Sequence, residues 1–189
     1  MKEVVVLGAA GSVGSMIARD LAESGVEVVG ADVDSQRLQQ LKDQANLKNL
    51  TVCPLDVRDR EAARDVLKNA KVCVNAANYQ LNIEVMKLAA EAKTHVLDLG
   101  GLYTVTKEQL KLDSLMKEAG VLAIVGMGSD PGVSNILARY GVEQLDQAEE
   151  IHIRYGSTTT GITFPFAIDT ILDEATKNAV VVRNGQLQE

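Results

Sequence analysis

The sequence predicts an α/β fold in which a doubly wound parallel sheet of six strands is followed by the start of a second α+β domain. Short apolar runs alternate, through the first two thirds of the chain, with longer segments whose apolar residues recur at the helical period. A glycine-rich turn separates the first apolar run from the first amphipathic segment. Strands that alternate with helices form parallel sheets with right-handed crossovers.

The elements follow from the same patterns in order along the chain. The first strand is predicted at residues 4–7, because this run is continuous, apolar and β-branched, as in strands buried on both faces. The first helix is predicted at residues 12–24, where Val13, Met16, Ile17 and Leu21 share one face. The other predicted strands span residues 26–31, 50–53, 71–75, 95–99 and 121–125, and the other helices span residues 35–44, 60–69, 81–92 and 106–119.

The pattern changes in the last quarter of the chain. Ile151, Ile153 and Tyr155 alternate with polar residues, which predicts a strand with one solvated face. We therefore expect a dinucleotide-binding domain at residues 1–147 and a second domain at residues 148–189. Residues 180–182 lead into Asn184-Gly185, a hairpin turn signal. The residues after this turn look too few for a returning strand, so we expect the chain to stop inside the second domain.

Composition excludes several classes of function. The chain has 189 residues and a net charge of −7, which argues against binding nucleic acid over a broad surface. No apolar run is long enough to cross a membrane, and no signal peptide is apparent, so we expect a cytoplasmic protein without membrane contact. Cys53 and Cys73 lie in apolar runs and are interpreted as small hydrophobic residues. His95 and His152 have no partner at metal-ligand spacing, so no metal is expected.

The turn after the first strand is a variant of the dinucleotide fingerprint, with the sequence Gly8-Ala9-Ala10-Gly11-Ser12-Val13-Gly14. Glycine is needed here for the tight turn, for close approach to a pyrophosphate and for close packing of helix on sheet. The helix that follows offers free N–H groups and a partial positive charge. The predicted cofactor contacts in this turn are Gly8, Ala10, Gly11, Ser12, Val13 and Gly14.

An acidic residue ends the second strand at the position that reads the adenosine ribose. Asp32 lies 18 residues beyond Gly14, where a carboxylate accepts both ribose hydroxyls of NAD and repels the 2′-phosphate of NADP. Arg37 lies close by in sequence and would favour NADP. We therefore predict NAD as the cofactor and keep NADP as an alternative.

Two further strand ends belong to the same crevice, because ligands bind beyond the carboxyl ends of parallel strands. Asp56 and Val57 follow the third strand and are predicted to flank the adenine, although Asp56 would serve equally well as a cap for the next helix. Ala76, Ala77 and Asn78 follow the fourth strand, where small residues let the backbone approach the nicotinamide ribose.

A Tyr-x-x-x-Lys spacing at Tyr103 and Lys107 matches that of short-chain dehydrogenases. In that family the pair lies on a long helix and a serine precedes it by about a dozen residues. Here the tyrosine is expected in a loop after Gly100-Gly101, and residues 89–93 hold no serine. We interpret the spacing as coincidental.

Several segments together resemble the saccharopine dehydrogenase family. The most specific is the run at residues 128–135, Gly128-Ser129-Asp130-Pro131-Gly132-Val133-Ser134-Asn135. The others are residues 8–14, 74–77, 95–98, 170–174 and 184–185. Two features depart from the family pattern: the glycine loop has an extra residue, and Asn78-Tyr79 replaces a turn that is often rich in proline.

The resemblance implies an NAD(P)-dependent dehydrogenase that transfers hydride at the C–N bond of a small amino acid, with lysine and saccharopine as familiar substrates. Family chains are about twice as long, which agrees with a chain that stops inside a domain. We also expect a homodimer, because the strands predicted at residues 151–155 and 180–182 would leave unpaired edges.

Asp130 is the predicted catalytic residue. We expect it at the carboxyl end of a central strand, where a carboxylate binds a cationic nitrogen or moves its proton. Asp130 followed by Pro131 is also a common helix start, and both interpretations can hold. Asp98 is a weaker candidate for the same cleft. Two other functions stay open: an extended short-chain epimerase or reductase, and a non-catalytic NAD-sensing module.

Overall fold

The computed structural model describes residues 2–154, 156 and 168–188. Its strands are β1 (Lys2–Leu7), β2 (Val28–Asp32), β3 (Leu50–Pro54), β4 (Ala70–Asn75), β5 (His95–Asp98), β6 (Ala123–Ile124), β7 (Val181–Arg183) and β8 (Gln186–Gln188). Its helices are α1 (Ser12–Glu23), α2 (Ser35–Ala45), α3 (Arg60–Leu67), α4 (Asn82–Ala92), α5 (Tyr103–Leu110), α6 (Asp113–Ala119), α7 (Val133–Glu143) and α8 (Ile168–Thr176), with a short 3-10 helix at Tyr79–Leu81.

The six-stranded sheet has the order β3-β2-β1-β4-β5-β6, and every neighbouring pair is parallel. This confirms the predicted doubly wound fold. The chain reverses its direction of winding between β1 and β4, so the carboxyl ends of these two strands flank the crevice in which such folds bind ligands.

The core has two halves because successive residues of a buried strand point to opposite faces of the sheet. On one face Val6, Val28 and Val74 pack beneath α1 and α2. On the other face Val5 and Leu7 pack beneath α3, α4 and α6. The continuous apolar strands seen in the sequence are therefore covered on both sides, as parallel sheets require.

The predicted helix at residues 106–119 is two helices. α5 begins earlier, at Tyr103, and ends at Leu110. The amides of Lys111 and Leu112 then donate to carbonyls three residues back, at 3.2 and 3.0 Å, which tightens the chain and starts α6 in a new direction.

The last quarter of the chain differs from its prediction in two ways. Residues 151–154 are exposed and form no strand, so the predicted strand there is wrong over this range, and Tyr155 lies outside the described residues. The hairpin prediction is confirmed, since Asn184 and Gly185 both have positive φ. However, three residues suffice for the returning strand: β8 pairs with β7.

No helix in residues 2–154 or 168–188 is long and apolar enough to cross a membrane. Cys53 and Cys73 are both free, as expected, and burial raises the pKa of the Cys73 thiol to about 12.

Candidate cofactor-binding site

The glycine loop between β1 and α1 is packed so closely that side chains are excluded from it. Gly8 has φ +77°, and a Cβ atom added there would lie 2.6 Å from the carbonyl oxygen of Ala76 and from the amide nitrogen of Ala77. A Cβ atom on Gly14 would lie 2.1 Å from the carbonyl oxygen of Gly8. The loop therefore brings the backbone of β1, β4 and α1 together, as a pyrophosphate-binding turn requires.

The amino end of α1 faces this loop with its N–H groups available. Gly11 is the N-cap residue and makes no side-chain capping bond. Its own amide donates to the Gly8 carbonyl at 3.0 Å, which closes the turn. The next residues, Ser12, Val13 and Gly14, form the first turn of α1, where N–H groups have no intrahelical partner. Such a terminus binds an anionic phosphate well.

Asp32 lies beside the loop at the end of β2. One carboxylate oxygen accepts the amide of Ala10 at 3.0 Å, and the other accepts the amide of Asp34 at 3.1 Å. These bonds hold the half-buried carboxylate against the glycine turn. The Asp32 carboxylate therefore lies beside the glycine turn, at the end of the second strand, where the sequence predicted it.

A cleft of about 270 Å³ opens from the loop between α1 and α2. Its lining includes Ser12, Arg19 and Arg37, with glutamine side chains from α2. Arg37 lies 3.6 Å from the carboxylate of Asp34. Arg19 was not singled out from the sequence, although its spacing of seven residues from Ser12 places both on one face of α1.

The end of β3 is tied to β2 but presents a paired carboxylate. The Leu55 amide donates to the Asp32 carbonyl at 2.8 Å. Arg58 donates to Asp56 through its backbone amide and its guanidinium, at 2.6 to 3.1 Å. These bonds, the guanidinium ones first, lower the pKa of Asp56 to about 2. Val57 beside it packs against the core. The helix-cap interpretation of Asp56 is wrong, because Asp59 caps α3.

The end of β4 meets the glycine loop directly. The Ala76 amide donates to the Leu7 carbonyl at 2.9 Å, and the Ala77 amide donates to the Asn75 side chain at 3.3 Å. Asn78 caps the short 3-10 helix by accepting the amide of Gln80. The structure thus brings Ala76 and Ala77 against Gly8. The sequence predicted that the end of β4 and the glycine turn share one crevice.

Asp98, at the end of β5, is a buried structural carboxylate. One oxygen accepts the amides of Gly100 and Gly126 at 2.7 and 3.0 Å, and the other accepts the Gln109 side chain at 2.7 Å. Asp98 therefore joins the loops after β5 and β6 and is not exposed to a ligand. Two of these three partners, Gln109 and Gly126, are distant in sequence, so the local motif does not predict this role.

Asp130 differs from its prediction in position. β6 is the edge strand of the sheet, not a central one, and Asp130 follows it by six residues. Its helix-cap interpretation is also wrong, since the N-cap of α7 is Gly132, whose amide donates to Asn135. The exposed carboxylate accepts the Ser134 hydroxyl at 2.6 Å. Pro131 packs against Gly100 and Gly126, which keeps this loop at the carboxyl end of the sheet.

The Tyr-x-x-x-Lys pair lies on a helix, so the loop expected there is wrong. Tyr103 is the first residue of α5, and both Tyr103 and Lys107 are exposed. His95 is structural, as expected, because its ring nitrogen accepts the Leu122 amide at 3.0 Å. His152 contacts the Glu150 carboxylate at the surface.

The comparisons with known proteins agree with this geometry. The family model "Saccharopine dehydrogenase NADP binding domain" matches residues 4–124. A saccharopine dehydrogenase [NADP(+), L-glutamate-forming] of Pyricularia oryzae is 26% identical over 163 residues, which are 86% of this chain and 34% of that protein. An uncharacterized oxidoreductase of Staphylococcus aureus is 27% identical over 128 residues, 62% of this chain and 54% of that protein.

A solved structure of the same kind shares the fold. The apo saccharopine dehydrogenase (L-Glu forming) of Saccharomyces cerevisiae superposes with a TM-score of 0.67 at 24% identity, over 76% of this chain and 31% of that one. The chain thus spans about a third of the length of each of these two saccharopine dehydrogenases. The glycine turn at residues 8–14 has the close packing that a pyrophosphate site requires, and the family model covers most of the sheet. The chain therefore belongs to the saccharopine dehydrogenase family and binds NAD(P).

Proposed function

We propose that the protein is an NAD(P)-dependent oxidoreductase that acts by hydride transfer on the C–N bond of an amino acid of the saccharopine or lysine type. Family membership supports the reaction class, and the relative from Pyricularia oryzae carries that activity in its name. One observation carries the proposal that the cofactor binds here: the backbone of Gly8 lies so close to Ala76 and Ala77 that no side chain fits at position 8. A ligand can approach this turn because position 8 is a glycine. When bound, NAD(P) supplies the hydride acceptor or donor.

The roles of the cofactor residues follow from their places around the crevice. The amino end of α1 and its turn bind the pyrophosphate, through Gly8, Ala10, Gly11, Ser12, Val13 and Gly14. Asp32 binds the adenosine ribose, and Asp56 with Val57 flanks the adenine. Ala76, Ala77 and Asn78 line the nicotinamide end.

We propose that NAD is preferred over NADP. The carboxylate of Asp32 supports this, because it lies against the pyrophosphate turn and would repel a 2′-phosphate. Arg19 and Arg37 oppose it, since both line the adjacent cleft and carry the charge that a 2′-phosphate needs. The Asp34 carboxylate partly compensates the positive charge of Arg37. We therefore expect the repulsion between Asp32 and a 2′-phosphate to outweigh the attraction by Arg37.

Asp130 is proposed to bind or deprotonate the nitrogen of the substrate. Its exposed carboxylate lies on a loop that Pro131 holds against the loop after β5. The Ser134 hydroxyl donates to one of its oxygens, which orients the carboxylate and leaves the second oxygen for a cationic nitrogen.

Two domains, residues 1–147 and 148–189, are proposed as the units of this chain. Among the described residues, the buried hydrophobic side chains all lie between Val5 and Met116, so the first unit has its own core. We further propose a homodimer. Residues 151–154 form no strand and so offer no edge, whereas β7 is present and pairs with β8. A second surface supports association: α7 has no buried residue and exposes Ile136, Leu137 and Tyr140. Light scattering tests this proposal: a mass twice that of one chain would support the homodimer, and the mass of a single chain would contradict it.

Calorimetric titration with NADH and NADPH tests the cofactor site with a matched pair of variants. Gly8→Ala should abolish binding of both nucleotides, because the new Cβ atom clashes with the backbone of β4. Gly25→Ala is the control: Gly25 also has positive φ, at +89°, but nothing lies within 4 Å of the added atom. An equal loss of nucleotide affinity in both variants would mean that backbone strain causes the effect. It would count against a pyrophosphate site at the turn of residues 8–14.

Reduction of NAD by the purified chain on addition of saccharopine or L-lysine tests the reaction class. Nucleotide binding without turnover of either compound would remove the substrate assignment and leave the cofactor assignment intact.

A further inference from the structure

Three polar side chains join α8 to the carboxyl end of β4. Tyr79 begins the 3-10 helix that follows β4, and its hydroxyl donates a very short hydrogen bond to the Asp173 carboxylate on α8. Lys177, just beyond α8, places its Nζ 3.0 Å from the same oxygen of Asp173. The cofactor roles proposed above use none of the three.

The cluster lies at the nicotinamide end of the crevice, on the side of β5. Tyr79 lies two residues beyond Ala77 along the chain. Its ring packs over the loop after β5, where a Cβ atom added to Gly101 would lie 2.6 Å from the Cβ atom of Tyr79. Tyr79 is only 5% exposed, although it stands at the rim of the sheet. The cluster therefore adjoins the place where a substrate must meet the nicotinamide.

The three groups have defined charges at neutral pH. Hydrogen bonds from Tyr79 and then Lys177 lower the pKa of Asp173. The Asp173 carboxylate raises the pKa of Lys177. Burial, and then the bond to Asp173, raises the pKa of Tyr79. The cluster is thus a carboxylate and an ammonium held beside a neutral phenol.

Both charged groups keep capacity for a ligand. The bonds from Tyr79 and Lys177 reach the same oxygen of Asp173, Oδ2, and the Gln80 side chain is a third, weaker donor to this carboxylate. The Asp173 side chain is 20% exposed and that of Lys177 is 52% exposed. An ammonium group has three donors, and a carboxylate accepts several bonds. Side by side, they match the two charges of an amino-acid zwitterion.

We propose that Lys177 binds the α-carboxylate and Asp173 the α-ammonium group of the amino-acid substrate, with Tyr79 as the positioning residue that fixes Asp173. This assignment rests on the proposed function, since it presupposes an amino acid at the nicotinamide end. It adds the residues that select the zwitterion. Tyr79 also explains how α8, which is distant in sequence, reaches the crevice.

Calorimetric titration of the chain saturated with NADH tests the proposal with three probes. L-Lysine carries both α-groups, 1,5-diaminopentane lacks the carboxylate, and 6-aminohexanoate lacks the α-ammonium group. Lys177→Met should weaken L-lysine and 6-aminohexanoate by about tenfold or more, as expected for a lost charge-assisted bond, and leave 1,5-diaminopentane unchanged. Asp173→Asn should weaken L-lysine and 1,5-diaminopentane and spare 6-aminohexanoate. Tyr79→Phe should resemble Asp173→Asn with a smaller effect.

Lys117→Met is the matched control, because Lys117 and Asp113 form an ion pair of the same i,i+4 spacing on α6. It should change the affinity for none of the probes. Equal weakening of all three probes by Lys177→Met would mean that the cluster only docks α8, and would overturn the proposal. Absence of L-lysine binding to the NADH-saturated wild type would also overturn it, whereas absence of NADH binding would mean that the proposed function itself is wrong.

Discussion

Two glycine-rich turns in this molecule look alike in sequence but support their helices differently. Residues 8–14 connect β1 to α1, and residues 126–132 connect β6 to α7. Each turn requires a glycine at its end. A Cβ atom added to Gly14 would lie 2.1 Å from the carbonyl oxygen of Gly8, and one added to Gly132 would lie 2.0 Å from the carbonyl oxygen of Gly128.

The two turns differ in what surrounds them. The first lies at the centre of the sheet, and α1 buries Gly14, Ala18 and Ala22 against it. The second follows an edge strand, closes on itself through the bridge between Gly128 and Gly132, and leads into a helix without a buried residue. Glycine spacing alone therefore does not define a nucleotide site. The two turns are alike in the close approach of a neighbouring strand end, since Gly8 meets Ala76 and Gly128 meets Leu99, so what distinguishes the first is a helix fixed on the sheet.

The largest expected effect breaks this comparison directly. Gly14→Ala should lower the free energy of unfolding by about 3 kcal/mol or more and abolish NADH binding, because α1 cannot move away from a close-packed core. Gly132→Ala meets an equally short contact, but α7 is free to shift. We expect a loss of about 1–2 kcal/mol and unchanged NADH affinity. Chemical unfolding and calorimetric titration measure both quantities.

Gly141→Ala completes this series as a control within α7. Nothing lies within 4 Å of the added atom, so the variant should gain about 0.5–1 kcal/mol from better helix propensity. Equal destabilisation by Gly14→Ala and Gly132→Ala would show that α1 and α7 are fixed to the same degree. The two turns would then not differ in how they support their helices.

The next effect concerns Asp98, the carboxylate that joins the loops after β5 and β6. Asp98→Ala should cost about 3 kcal/mol, because the buried Gln109 amide and two half-buried backbone amides lose a charged acceptor. Asp98→Asn should cost only about 1 kcal/mol, because the Gln109 amide can turn over. Its oxygen, buried and without a partner among the described residues, would then accept from the new amide. Chemical unfolding distinguishes the two variants.

Asp113→Ala is the control for Asp98, since it removes an exposed ion pair with Lys117 and should change stability by less than about 0.5 kcal/mol. If Asp98→Asn proved as costly as Asp98→Ala, the Gln109 amide does not turn, and the charge itself is what the three donors require.

What the sequence could predict depends on how local the causes are. The turn at residues 8–14 and the carboxylate of Asp32 were predictable, because strand, turn and helix follow one another within a short stretch. The burial of Asp98 was not, because Gln109 and Gly126 reach it from other elements.

The same reasoning explains the error at Asp130 and the failure to predict the contact of α8. Asp130-Pro131 has the local composition of a helix start, but the turn around Gly128 delays the helix to Val133. The pairing of Tyr79 with Asp173 spans 94 residues, and no periodicity or motif announces it. Local rules therefore predicted the glycine turn and missed the tertiary contact between Tyr79 and α8.

A smaller effect sharpens the comparison within the crevice, between its centre and its rim. Asp32→Ala should weaken NADH binding by about tenfold, because the ribose hydroxyls lose their acceptor, and should reduce the preference for NADH over NADPH. Asp20→Ala, an exposed carboxylate on α1, is the control and should change neither affinity. Tighter binding of NADPH than of NADH by the wild type would show that Arg19 and Arg37 govern the choice, and the NAD assignment would fall.

The smallest effect is expected at the rim, where Asp56 is paired with Arg58. Arg58→Ala should raise the pKa of Asp56 from about 2 part of the way to its usual 3.8, because the guanidinium bonds are lost while the backbone amide of residue 58 still donates. A lowered pKa in the folded state stabilises the fold above pH 3.8, and this contribution is lost as the pH falls towards 2. The variant should therefore lose this small contribution at neutral pH and become as stable as the wild type once the pH falls to about 2, where Asp56 is protonated in both proteins. Its NADH affinity at neutral pH should stay within about twofold, since an exposed pair contributes little. NMR titration of the Asp56 carboxyl carbon measures the pKa directly. An unchanged pKa would assign the shift to the backbone bond, and a large loss of NADH affinity would place Asp56 at the centre of the site with Asp32.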